Sequence, residues 1–208
     1  MSKIKLMLTT ILFDLDNTLI DFMQLKESSI RKAVKAMQLD MDEDKAVRDI
    51  YKIYKKKGME DKKVFQEFLR HAYKKIDYKK LAKAIIAYRK ERQNHLRSYP
   101  GVKDTLRQLK NKNLKLAIIT DAPKIKAYLR LSYMNIEDYF DLIITDSKKP
   151  SRDSFEKALK RLKSTPEQTL MVGDSIRKDI NAAKRLKINT YKVNTKDFKD
   201  VLKVIKKY

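Results

Sequence analysis

Apolar residues recur along this chain with two periods, and the change of period divides it. Across residues 22–96 they fall at steps of three and four, as in Ile50, Ile53 and Tyr54 or in Val64, Phe65, Phe68 and Leu69. That spacing lines one face of a helix. Helices are predicted over 22–39, 42–57, 61–74 and 78–96, punctuated by Asp40, Gly58 and Asp77, and four such helices in succession predict a small bundle. Elsewhere the apolar residues come in short runs: Ile11-Leu12-Phe13, Leu116-Ala117-Ile118-Ile119, Leu142-Ile143-Ile144-Thr145 and Leu170-Met171-Val172. These are too short for helices and too continuous for half-exposed strands, and they read as strands buried on both faces.

After Pro100 the two patterns alternate. Helices are predicted over 102–110, 124–134, 152–162 and 176–186, strands over 114–119, 142–145, 169–172 and 190–193, with a closing helix over 196–205. Repeated strand-helix alternation implies a parallel sheet covered on both faces. Asn111 and Asn113 stand where a helix needs a left-handed cap, and Thr165-Pro166-Glu167 predicts a single helical turn. Ser2 to Thr10 is expected to lead into or lengthen the first strand. The chain therefore reads as α/β: a Rossmann-like parallel sheet from residues 1–20 and 98–208, with a four-helix insertion over 21–97.

Each buried run ends in polar residues. Asp14-Leu15-Asp16-Asn17-Thr18 comes after the first, Thr120-Asp121 after the second, Asp146 and then Lys149-Pro150 after the third, and Gly173-Asp174 after the fourth. On an extended backbone Asp14 and Asp16 share a face; two carboxylates so placed can hold a hard divalent cation and leave an oxygen to attack an electrophile. An aspartate-rich turn after a strand is the plain alternative for that pair alone. The repetition favours chemistry, because the carboxyl edge of an open α/β sheet is where ligands bind. Two acids, a hydroxyl, an amine and a further acid on one rim suit Mg2+ and a phosphoryl group.

The ordered set Asp14-x-Asp16-x-Thr18, Thr120, Lys149 and Gly173-Asp174-x-x-x-x-Asp179 resembles the four motifs of the haloacid dehalogenase-like (HAD) hydrolase superfamily over almost the whole chain. Tyr99-Pro100-Gly101-Val102 and Lys149-Pro150 followed by Phe155 resemble it too. More narrowly, Ala84-Ile85-Ile86-Ala87-Tyr88 and Ile118-Ile119-Thr120-Asp121 are similar to archaeal members described as glyceraldehyde 3-phosphate phosphatases. The resemblance implies that the helical insertion is a cap. It implies Asp14 as nucleophile and Asp16 as general acid and base. Mg2+ would be held by Asp14 and Asp174, by the backbone carbonyl of Asp16 and with support from Asp179, for which a first-turn acid facing the helix dipole is the alternative. Thr120 and the Asp121 amide would bind phosphate, and Lys149, chosen over Lys148 by its pairing with Pro150, would add positive charge. Of two neighbouring carboxylates one is expected to have a raised pKa. Thr18 is expected to order the first loop; Lys26, Arg31 and Arg97 are candidate substrate contacts; His71, His95 and Tyr88 are expected in surface or packing roles.

Composition narrows the rest. The chain carries 42% hydrophobic residues, enough for a packed core. No stretch approaches the roughly 18 apolar residues of a membrane span. Lys3 and Lys5 precede apolar residues, but Asp14 and Asp16 interrupt the run, so no signal peptide is expected. The absence of cysteine removes disulfides and thiolate chemistry, and a cytoplasmic location is expected. The net charge of +23 raises nucleic-acid binding. Yet residues 21–97 hold 22 Lys and Arg against 12 Asp and Glu, and the remainder 28 against 15, so the excess is spread out. Clusters such as Lys55-Lys56-Lys57 lie on helices whose solvated face explains them, and no specific nucleic-acid partner is expected. Nothing in the sequence speaks to oligomeric state.

The expected function is a Mg2+-dependent phosphatase for a small phosphorylated metabolite, with glyceraldehyde 3-phosphate or a similar triose or glycolytic phosphate foremost. A 2-haloacid dehalogenase would lack an acid at the place of Asp16. A phosphomutase would share both acids and withhold its intermediate from water. A non-catalytic binding protein would have lost one of these groups, and a receiver domain would lack the helical insertion and the Asp-x-Asp spacing.

Overall fold

The computed structural model describes residues 7–193 and 198–207. The chain divides into two units, Met1–Phe22 with Arg97–Tyr208, and Met23–Leu96.

The first unit is built on five parallel strands: β1 (Thr10–Phe13), β2 (Lys115–Ile119), β3 (Leu142–Ile144), β4 (Thr169–Gly173) and β5 (Asn189–Lys192), in the order β3-β2-β1-β4-β5. In register, Phe13 lies opposite both Ile118 and Val172. Side chains alternate between faces along a strand. Ile11, Phe13, Leu116, Ile118, Leu170 and Val172 share a core with α5 (Val102–Asn111), α6 (Lys124–Met134) and α9 (Asp200–Ile205). Leu12, Ala117, Ile119 and Met171 join α7 (Asp153–Leu162) and α8 (Asn181–Lys184) in a second core. This two-sided burial explains the uninterrupted apolar runs. Ile11, Leu12 and Phe13 are fully buried, each contributing about 1.5–3 kcal/mol over an exposed position.

The second unit carries α1 (Phe22–Met37, its first residue belonging to the first unit), α2 (Glu43–Lys57), α3 (Val64–Tyr73) and α4 (Tyr78–His95). Its core is made by Ile30, Val34, Ile50, Phe65, Phe68 and Leu81 among others. Asp42 and Asp77 cap α2 and α4 by accepting from the Lys45 and Lys80 amides at 2.7 and 3.0 Å, worth about 1 kcal/mol each. Among the described residues no helix is long and apolar enough to cross a membrane.

The structure corrects several sequence expectations. α3 starts at Val64 rather than 61, because the Asp61 carboxylate accepts from the Lys63 amide and forms a turn first. Thr165-Pro166-Glu167 forms no helical turn; the Thr169 amide and hydroxyl close a bend on Pro166 and Thr165 instead. Met7 to Thr9 do not extend β1, and the Thr9 amide, like that of Thr10, donates to the Gln168 carbonyl. The stretch 176–186 is not one α-helix: Ile176–Ile180 is wound as a π-helix and only then continues as α8. A short 3-10 turn, Glu137–Tyr139, had no sequence signal. Asn113 adopts the expected left-handed conformation, whereas Asn111 is the last residue of α5. Ser2 to Leu6 of the expected lead-in and residues 196 and 197 of the expected closing helix lie outside the described residues.

Candidate active site

Three backbone hydrogen bonds align the strand ends. The Asp14 amide donates to Val172, Thr120 to Ile144 and Val193 to Gly173, each at 3.0 Å. The residues just beyond the strands are thereby held on one rim. Asp14, at the end of β1, is buried, and its two oxygens have different partners. Oδ1 accepts from Lys149 Nζ at 2.6 Å, and Oδ2 accepts from the Thr18 hydroxyl at 3.0 Å. Thr18 also accepts from the Asp174 amide at 3.1 Å, so it ties the first loop to the end of β4, as expected of it.

Lys149 reaches this point from the loop after β3, where Asp146 and Lys148 take left-handed conformations. Lys148 is exposed and Lys149 buried, and the ammonium bridges Asp14 to Asp179 Oδ1, again at 2.6 Å. Burial alone would lower the pKa of this amine; the Asp14 and Asp179 carboxylates outweigh burial and hold it above the ordinary lysine value.

Asp179 sits in the π-wound turn, 1% exposed. Its other oxygen accepts from the Ser175 amide at 3.0 Å. Burial and then the Asp14 charge push its carboxyl up to about 6, against the opposing pull of Lys149. The wider turn of a π-helix is a frequent device for aiming one side chain inward. Gly173 makes room for it: a Cβ there would stand 2.6 Å from Asp179 Cβ, Cγ and Oδ2. Asp174 is half-buried and its carboxyl is raised, first by burial and second by Asp14. Carboxylate oxygens of Asp14, Asp174 and Asp179 lie within 4.8 Å of one another. Three acids against one lysine, all with hard oxygen donors, fit a divalent cation such as Mg2+.

Asp16 does not join that group. Its carboxylate Oδ2 accepts from Arg130 NH1 at 2.6 Å. Beyond β1, which ends at Phe13, Asp16 forms an isolated bridge with Ile20, and Asn17 is left-handed at φ 63°. Arg130, only 1% exposed, was not predicted from sequence. Its signal is a charged residue within the apolar stripe Ala127, Leu131 and Met134 of α6.

Thr120 is buried, its hydroxyl accepting from the Ala122 amide at 3.1 Å and keeping its proton for another acceptor. The Asp121 side chain has a role with no local sequence signal. Oδ1 accepts from the Ser147 hydroxyl and the Lys149 amide, both at 2.8 Å, and Oδ2 from Lys178 Nζ at 2.7 Å. Three loops are thus joined at one carboxylate. Burial works against its charge, but Lys178, Ser147 and the Lys149 amide hold the carboxyl below its ordinary value.

Lys26 is buried in the helical unit, donating to the Met59 carbonyl at 2.6 Å and the Tyr88 hydroxyl at 2.8 Å, with the Tyr54 ring centroid 3.7 Å away. Arg31 is exposed and paired with Glu27 and Asp44, and Arg97 is exposed. His71 and His95 are exposed with ring nitrogens on carbonyls of their own helices, and Tyr88 packs against the helical core.

The sequence model described as Haloacid dehalogenase-like hydrolase matches residues 11–193. A glyceraldehyde 3-phosphate phosphatase of Methanocaldococcus jannaschii is 36% identical over 202 residues, covering 94% of this chain and 89% of that protein. Pyrophosphatase PpaX of Oceanobacillus iheyensis is 31% identical, covering 87% and 81%. Among solved structures, YfnB of Bacillus subtilis, assigned as a HAD-hydrolase and solved bound to magnesium, superposes with a TM-score of 0.72. It is 18% identical and covers 96% of this chain and 99% of its own.

Proposed function

The chain belongs to the haloacid dehalogenase-like hydrolase family, and from that premise we propose that it is a Mg2+-dependent phosphatase of small phosphorylated metabolites, glyceraldehyde 3-phosphate foremost. The observation that carries the reading is the convergence of Asp14, Lys149, Asp174 and Asp179 at the strand ends. It is joined by 36% identity to a phosphatase across nearly the full chain.

Asp14 is the nucleophile. One of its oxygens forms a bond to phosphorus while the bond from phosphorus to the ester oxygen breaks, and the departing oxygen takes a proton from Asp16. Water then attacks the phosphorus of the aspartyl-phosphate, Asp16 takes its proton, and the bond to Asp14 breaks to return the carboxylate. Lys149 fixes Asp14 and opposes negative charge on the phosphoryl group. The Thr120 hydroxyl and the Asp121 amide donate to phosphoryl oxygens. Mg2+, held by Asp14, Asp174 and the Asp16 carbonyl, would neutralise further phosphoryl charge when bound. Asp179, with one oxygen on the Lys149 ammonium and the other on the Ser175 amide, supports this arrangement by fixing Lys149. The α/β unit is the catalytic core and the helical unit its cap. The enzyme belongs with its metabolites in the cytoplasm.

Released phosphate, measured with and without chelator over triose phosphates, phosphoglycolate, sugar phosphates, nucleotides and a phosphopeptide, tests the reading. Mg2+-dependent turnover with a preference for the small esters is expected. Full activity in excess chelator, turnover of a 2-haloacid without metal, or a preference for the phosphopeptide would overturn it. Pyrophosphate is the second candidate substrate, because of the 31% identity to a pyrophosphatase, and it belongs in the same panel.

A further inference from the structure

Arg130 is among the largest fully buried side chains of the protein, and the chemistry proposed above gives it no part. A buried guanidinium costs several kcal/mol in lost hydration unless it is well paired. An apolar residue at this position of α6, between Ala127 and Leu131, would pack without that cost. What Arg130 holds therefore matters more than what it fills.

It holds the carboxylate of Asp16. Arg130 NH1 lies 2.6 Å from Asp16 Oδ2, and the guanidinium carbon sits 4.5 Å from the centroid of the Phe22 ring. A guanidinium over an aromatic face is fixed in plane as well as in position. The backbone under Asp16 is fixed separately, by the Leu19 amide on Leu15 at 2.9 Å and the Asn17 amide on Ile20 at 2.7 Å. Backbone and carboxylate are thus pinned from opposite ends, which selects one rotamer among the staggered set open to an aspartate. The two acids of Asp14-x-Asp16 are held by different cations: Asp14 by Lys149 from the loop after β3, Asp16 by Arg130 from α6, 114 residues away in sequence.

We propose that Arg130, braced on Phe22, is a positioning residue for Asp16, aiming the carboxyl group that exchanges a proton with the ester oxygen. This rests on the phosphatase reading above. Arg130 acts through Asp16 and touches no reacting atom.

Misplacing a proton donor penalises a substrate in proportion to how badly its departing oxygen needs the proton. An alkyl phosphate such as glycerol phosphate leaves as a basic alkoxide; p-nitrophenyl phosphate leaves as a stabilised phenolate. kcat/KM compares the two for the first half of the reaction alone, up to release of the alcohol or phenol. In Arg130→Met the alkyl kcat/KM is expected to fall about 100-fold, the scale of general-acid catalysis, and the aryl value less than about threefold. Arg130→Lys, which retains the charge on a shorter side chain without the planar fork, should show the same selectivity at about tenfold, and it carries the test if the Met variant does not fold. Against an Asp16→Asn background the Arg130 substitutions should alter the alkyl-to-aryl ratio less than about twofold. Equal losses on the two esters, or an unchanged alkyl rate, would overturn the assignment while leaving the phosphatase reading intact. A wild-type protein that hydrolyses neither ester with Mg2+ would overturn both.

Discussion

The two units bury charge in different ways. Among the described residues of the helical unit the buried charged group is Lys26, and its ammonium donates to a carbonyl and a phenol and lies over an aromatic ring. Its other charges are mostly exposed on helix surfaces, as in the pairs Arg31 with Asp44 and Lys52 with Asp49. In the α/β unit Asp14, Lys149, Asp179 and Arg130 are all buried, and the half-buried Asp174 stands beside them. Around Lys149 the carboxylates outnumber the amine, and the Asp179 and Asp174 carboxyls are pushed upward as a result of burial and of Asp14. Lys26 is a single cation held by dipoles, whereas the strand-end cluster gathers three carboxylates about one amine. An unbalanced buried group is retained for what it binds.

The largest effect expected from this contrast is on turnover. Asp14→Asn should lower phosphate release by at least about a thousandfold, the scale of losing a nucleophile, with only a modest change in melting temperature, because shape is nearly kept and the loss of one acceptor for Lys149 or Thr18 is offset by relief of repulsion with Asp174 and Asp179. Wild-type turnover by the purified variant would break the comparison at its centre.

Next in size is the contact that lets Asp179 reach Lys149. Gly173→Ala places a carbon 2.6 Å from Asp179. Overpacking of this kind costs about 1–3 kcal/mol, and a shift of about 1 Å in a supporting residue costs about 100-fold in rate. Denaturant unfolding and steady-state kinetics on the same variant measure both, and a loss of stability without a loss of rate would separate Asp179 from the chemistry.

Lys26→Met probes the other unit. Removal of the ammonium should cost about 1–3 kcal/mol through its lost hydrogen bonds, while kcat on small phosphate esters stays within about threefold. A large fall in kcat with intact stability would show that the helical unit also buries charge for function.

The local sequence signals follow the same division. The strand-end residues were legible because a parallel strand buried on both faces announces itself as an apolar run, and the residues immediately after Phe13, Ile119 and Gly173 must lie at the edge of the sheet. The helices of the second unit were legible in their three- and four-residue period. The charge partners were not. Arg130 meets Asp16 across 114 residues and Lys178 meets Asp121 across 57, and no local period encodes either pairing. The π-wound turn that aims Asp179 looked like ordinary helix, since its sequence Ile176-Arg177-Lys178-Asp179-Ile180 carries no breaker. The Asp121 carboxylate, which joins three loops, has no local sequence signal either.

That carboxylate gives the smallest effect, with a defined pH dependence. The folded pKa of Asp121 lies below its ordinary value. Its contribution to stability is therefore full above the unfolded value of about 4 and is lost as pH falls through the folded value. Asp121→Asn should cost about 1 kcal/mol at neutral pH, discounted for a side chain one-third exposed. The difference from wild type should close as the medium is acidified. A gap that persisted or widened in acid would mean that Asp121 does not act as a charged clamp.

The central claim is that the unbalanced cluster exists to let Asp14 carry the phosphoryl group. Borohydride reduces an acyl-phosphate to an alcohol, so trapping the protein with borohydride during turnover with Mg2+ and a small phosphate ester, then peptide mass spectrometry, tests the claim directly. Conversion of the residue at position 14 from aspartate to homoserine, dependent on substrate and absent from Asp14→Asn, is the predicted result. Reduction at another aspartate, or steady turnover with residue 14 untouched, would contradict it.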